Sequence, residues 1–148
     1  MKLVLIVEDE YGNAEILQLL LEAEGYRVAV ASNGKQALET LQSGEHPALI
    51  LSDFMMPIMN GGEFGKEVKK DATLAQIPFV FMSGTNEDVV QRVFKDYDAF
   101  LVKPIELESL MVVIQRLLGD GPQVSTNTER VEESTRQVLQ GMRVPPRD

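Results

Sequence analysis

The 148-residue sequence contains no cysteine and a single histidine, His46, which excludes disulfides, thiolate metal sites and multi-histidine clusters. Any metal must therefore be held by oxygen ligands. No apolar run approaches the roughly 20 residues that a bilayer-spanning helix needs, and the opening MKLVLIV meets Glu8 too soon to serve as a signal-peptide core. No membrane association and a cytoplasmic location are expected. Positive charge is scarce too, with 14 Lys and Arg against 23 Asp and Glu and a net charge of -9. Such a surface repels a phosphate backbone, so nucleic acid is not expected as a direct partner. The acidity belongs to residues 1–118, with 10 basic and 18 acidic side chains, rather than to 119–148, with 4 and 5.

What remains is ordinary globular material, 44% hydrophobic and 25% charged, in a chain long enough for one well-buried core and at most an appendage. Five continuously apolar runs predict strands buried on both faces: Leu3–Val7, Val28–Ala31, Ala48–Ser52, Phe79–Ser83 and Ala99–Val102. Segments of helical spacing separate them. In NAEILQLLLEAEG the residues Ile16, Leu17, Leu20 and Leu21 form one face and Gly25 is placed to end the helix. GKQALETLQSG, GEFGKEVKKD, EDVVQRVFKDY and LESLMVVIQRLLG follow the later strands. This alternation predicts an α/β domain of the doubly wound (βα)5 type, with a parallel five-stranded sheet and right-handed crossovers. The domain is expected over residues 1–118, followed by a linker at 119–126 and a C-terminal tail at 127–148. Thr126 and Glu129 suggest a capping box for a short helix there, but Val131, Val138, Leu139 and Met142 make a stripe too thin for stability alone. A loosely docked tail or a partner contact fits that pattern.

In doubly wound sheets ligands bind beyond the carboxyl ends of the strands, so those ends carry the functional argument. They present Glu8 and Asp9, then Asp53, Ser83, and Lys103 before Pro104. In the flavodoxin-like strand order 2-1-3-4-5 the three carboxylates meet at one rim, where mutual repulsion calls for a cation. A hard, oxygen-seeking ion such as Mg²⁺ suits them. Lys103 and Ser83 add a positive charge and a hydroxyl, which makes a socket for a phosphoryl group with Asp53 as the nucleophile. Taken singly, the acidic residues 8–10 would read as a helix start, Asp53 or Ser83 as helix caps, and His46 as a surface residue.

Together the acidic pair Glu8-Asp9, DFMMPIMNG from Asp53 to Gly61, FMSG ending at Gly84 and FLVKP from Phe100 to Pro104 resemble the receiver domain of two-component response regulators. The likeness covers residues 1–118 and is to single-domain, chemotaxis-regulator-like members. It implies that Asp53 accepts a phosphoryl group from a phosphohistidine on a sensor histidine kinase or histidine phosphotransfer protein. It implies that Mg²⁺ is held by Asp9, by Glu8 through water, by Asp53 and by the backbone carbonyl of Met55. Lys103 would pair with Asp53 and then with the phosphoryl oxygens, and the Lys103-Pro104 bond would be cis. Ser83 would turn toward the phosphoryl group and Phe100 would swing inward. That motion would signal to a downstream effector through the face of the fourth helix, fifth strand and fifth helix. A homodimer through that face or through the C-terminal helix is a further contact the resemblance allows. Such a protein catalyses its own phosphorylation and dephosphorylation but is primarily a switch.

Three positions depart from the family pattern. Asn60 replaces a common acidic residue, and Met55 and Thr85, which flank the acyl phosphate and tune water access, are neither acidic nor amide. The 20 positions from Ser83 to Lys103 are also slightly fewer than usual, a shortening that falls in the fourth helix or the loop after it. The alternative is a degenerate receiver that binds partners without phosphorylation. A flavin-type mononucleotide binder would need a Ser/Thr/Gly-rich loop where EDEYGN stands, and an aspartate-nucleophile phosphatase usually carries a second aspartate where Met55 stands.

Overall fold

A computed structural model describes residues 1–119, so the expected tail at 127–148 and the linker beyond Gly119 lie outside the described residues. Five strands alternate with five helices: β1 (Leu3–Val7), α1 (Tyr11–Ala23), β2 (Arg27–Ala31), α2 (Gly34–Ser43), β3 (Leu49–Asp53), α3 (Gly61–Lys70), β4 (Phe79–Ser83), α4 (Glu87–Val93), β5 (Ala99–Val102) and α5 (Leu107–Leu118). A 3-10 turn, Leu74–Gln76, lies before β4. The strands are parallel, as the alternation of elements predicts, and their order β2-β1-β3-β4-β5 is the flavodoxin-like one expected.

Period-two alternation along the strands sorts side chains into two apolar layers. Val4, Ile6, Leu49, Leu51, Val80 and Met82 face Leu17 and Leu21 of α1 and Leu110 and Ile114 of α5. Leu5, Val7, Ile50, Phe79 and Phe81 face α2, α3 and α4 through Ala37, Leu41, Phe64, Val68 and Val90. Both faces of the central strands are thus covered, which accounts for their unbroken apolarity.

Four local features differ from the sequence expectation. β2 is an edge strand, and its Val30 is 40% exposed although the run VAVA reads as fully buried. β3 is shifted by one residue and includes Asp53, so the carboxylate belongs to the last paired position, opposite Met82, and not to the loop beyond. Ile16 of α1 is exposed and Ala14 takes its place in the core. α4 stops at Val93, because Phe94 and Tyr97 leave the helical path to enter the aromatic layer.

The turns at the carboxyl edge have clear local causes. Glu10 caps α1 by accepting from the Gly12 amide at 3.1 Å, and Asn60 and Glu63 form a reciprocal capping box on α3. A Cβ at Gly61 would overlap the Asp53 carbonyl oxygen, so glycine lets α3 start directly beneath the end of β3. Gly25, at φ 93°, ends α1 in the left-handed region. The Lys103-Pro104 peptide is cis.

Candidate functional site

The carboxyl ends of β1, β3, β4 and β5 bring Glu8, Asp9, Asp53, Ser83 and Lys103 to one rim. Asp53 is 6% exposed at the end of the central strand. Its Oδ1 accepts from the Phe54 amide at 2.8 Å and its Oδ2 from Lys103 Nζ at 3.0 Å. The same lysine donates to Glu8 Oε1 at 3.1 Å, so one cation bridges two strand-end carboxylates. Neither Asp53 nor Ser83 caps a helix, since α3 and α4 are capped by Asn60 and Asn86. Of the acidic run at 8–10, Glu10 caps α1, and Glu8 Oε2 accepts from the Glu10 amide at 3.3 Å.

Glu8 is 2% exposed, a burial that the sequence, with two further acids beside it, gives no hint of. Desolvation, followed by the neighbouring Asp53, holds its carboxyl above the usual carboxylate range against the opposing pull of Lys103. For Lys103 burial acts to lower the pKa, but its contacts with Asp53 and Glu8 outweigh it and the ammonium is held above the ordinary lysine value. The rim therefore contains more negative charge than its own lysine neutralises. Oxygens of Glu8, Asp9 and Asp53 lie within 4.8 Å of one another, a spacing and donor chemistry that fit a divalent, oxygen-seeking cation. The side chain of Met55 is 64% exposed and contributes nothing to this cluster; the role expected of this residue rests on its backbone carbonyl.

Ser83 is 1% exposed, and its Oγ accepts from the Thr85 amide at 2.8 Å, closing the turn toward α4. Phe100, expected to swing inward, is already in the core at 1% exposure, because Phe81 and Tyr97 supply an apolar bed at centroid distances of 6.5 and 6.0 Å. Two contributors escaped the sequence reading. Ser52, fully buried, donates from Oγ to the Asp53 carbonyl at 2.8 Å, and the Phe54 amide orients the carboxylate. Backbone donors leave no trace in residue types, and a serine inside an apolar strand reads only as tolerated. A cavity of about 530 Å³ opens beside the rim between α1 and the turn after β5, with Glu8 and Lys103 among its lining residues and Ile16, Leu20 and Ile105 as apolar wall.

A parallel doubly wound sheet with an acidic, lysine-bridged pocket at the end of its central strand defines a class of α/β domains that carry their site at the carboxyl edge of the sheet. Comparison with known proteins narrows the class. The family model for the response regulator receiver domain matches residues 4–115. The response regulator Rre1 of Synechocystis is 36% identical over 119 residues, which cover 78% of this chain and 51% of that protein, so the chain spans about half the length of this relative. Among solved structures, the receiver domain of a signal transduction histidine kinase from Syntrophus aciditrophicus matches with a TM-score of 0.74 at 31% identity, covering 85% of this chain and 96% of that one. The response regulator TrrA of Thermotoga maritima, solved in complex with Mg²⁺-BeF, matches with a TM-score of 0.70 at 28% identity, over 80% and 100% of the respective chains. The chain belongs to the response regulator receiver family of two-component signalling.

Proposed function

We propose that the protein is a phosphorylation-dependent signalling switch in which Asp53 is the phosphoacceptor. The observation that carries this reading is Asp53 itself, buried at the central strand end between Lys103 Nζ at 3.0 Å and the carboxylates of Glu8 and Asp9. An Asp53 oxygen attacks the phosphorus of a phosphohistidine; the new P–O bond forms as the P–N bond breaks, and the imidazole leaves as a neutral base after taking up a proton. Lys103 moves from the carboxylate to the phosphoryl oxygens, and Ser83 Oγ leaves the Thr85 amide to donate to one of them. Glu8, Asp9, Asp53 and the Met55 carbonyl would hold Mg²⁺, which would neutralise charge that builds up on the transferred group.

The donor is a sensor histidine kinase or a histidine phosphotransfer protein, and the cytoplasm is the compartment of such exchange. The phosphoryl group adds about -1.5 to -2 charge and three acceptors at a site linked through Ser83 to the face of α4, β5 and α5. An effector protein, or a second copy, meets that face; residues 1–118 form the switch and the segment from 119 onward an appendage to it.

The test is incubation of the full chain with Mg²⁺ and acetyl phosphate, followed by mass spectrometry. An added phosphoryl mass on the native protein that is absent from Asp53→Asn supports the reading. No added mass on the native chain would instead make it a degenerate receiver acting through phosphorylation-independent contacts.

A further inference from the structure

The segment Phe94–Asp98, FKDYD, carries two aromatic residues where α4 has just ended. At 7 residues α4 is far below the length at which a helix is stable alone, so tertiary anchors must hold it. Val90 is buried under it. A further anchor is polar. Tyr97, 7% exposed, donates its hydroxyl to Glu87 Oε2 at 2.6 Å and accepts from Gln91 Nε2 at 2.9 Å, so one side chain grips two successive turns of α4. Burial, followed by the bond to Glu87, pushes the Tyr97 hydroxyl up to about 12, which keeps the phenol a donor throughout the neutral range.

The ring of Tyr97 faces the other way. It packs edge-on against Phe81 at 5.4 Å and lies 6.0 Å from Phe100. Glu87 meanwhile is only four positions after Ser83, whose Oγ holds the Thr85 amide in the intervening turn. A continuous set of contacts thus runs from Ser83 through the turn to Glu87, across to Tyr97, and back to Phe100. If Ser83 Oγ is drawn to a phosphoryl oxygen, the Thr85 amide loses its acceptor and the turn must shift. The grip of Tyr97 on the first turn of α4 opposes that shift.

We infer that Tyr97 is a positioning residue for the switch: its hydroxyl latches α4 to the aromatic layer beneath Phe100 and holds the β4–α4 turn in the unphosphorylated arrangement. This rests on the reading of Asp53 as phosphoacceptor. Releasing the latch frees the turn, so it favours the phosphorylated arrangement without any change at the rim itself.

The experiment is calorimetric titration of the full chain with beryllium fluoride at saturating Mg²⁺. Tyr97→Phe, which keeps the ring and removes the hydroxyl, is expected to tighten binding about fivefold or more, the lower range of typical coupling between sites. Glu87→Ala removes the acceptor from the half-buried end of the same bond and serves if Tyr97→Phe does not fold. Because both changes break one interaction, the double variant should bind no tighter than the better single variant. Unchanged or weaker binding by the variants, with a lowered melting temperature, makes the bond a structural pin and overturns the latch. A native chain that does not bind beryllium fluoride overturns the phosphoacceptor reading first, and the latch with it.

Discussion

Met55, 64% exposed, sits two residues after the proposed phosphoacceptor, and it would offer water near an acyl phosphate neither a donor nor a strong acceptor. Met55→Asn introduces both, and the aspartyl phosphate should then decay several-fold faster while the extent of initial phosphorylation is unchanged; loss of the added mass over time measures this. Tyr97 gives a second prediction, at high pH. Its folded pKa of about 12 exceeds the ordinary tyrosine value of about 10, so the stability it contributes is complete below about pH 10 and is lost as pH rises through about 12. Tyrosinate absorbance should show a step near pH 12 that Tyr97→Phe removes. The residues that meet at the rim were legible because each ends an apolar run, where a charge or hydroxyl is conspicuous. Tyr97 was not legible: its position follows from where α4 stops, and EDVVQRVFKDY continues a helical spacing past Val93.

Strands were readable from continuous apolarity. Leu3–Val7, Phe79–Ser83 and Ala99–Val102 emerge from the sequence with the bounds the structure gives them, the edge strand β5 included. β2 shows the limit of the same rule, because an edge strand with an apolar run looks identical in sequence to a central one. Its amino end is tied by Arg27, which donates to both carboxylate oxygens of Glu45 and to the Met1 carbonyl. The start of α3 yields a prediction of its own. At Gly61 an added Cβ would overlap the Asp53 backbone and the Phe81 ring, and neither has room to withdraw. Gly61→Ala should cost about 1–3 kcal/mol in denaturant unfolding, as overpacking typically does. Gly84→Ala, which meets nothing within 4 Å, should stay within about 0.5 kcal/mol of the native chain.

At the scale of the whole molecule, the net charge of -9 and the crowding of Glu8, Asp9 and Asp53 mean that the fold carries repulsion that a bound cation relieves. Mg²⁺ at about 100 times its dissociation constant should stabilise the domain by about 2.7 kcal/mol. Differential scanning calorimetry should register this as a raised melting temperature that is much smaller in Asp53→Asn. The overall α/β topology was legible because it is set by repetition, five times over, of one simple alternation. The linker and tail lie outside the described residues, and their composition alone carries no comparable repetition. The rim itself is drawn from positions 8, 53, 83 and 103, each at the carboxyl end of a different strand, and Lys103 reaches back 95 positions to Glu8. No short stretch assembles this rim, and contacts of such separation form only after the intervening loops have closed. The proposed modification at Asp53 would thereby audit completed folding: a newly made or partly unravelled chain would offer a donor no assembled rim to modify.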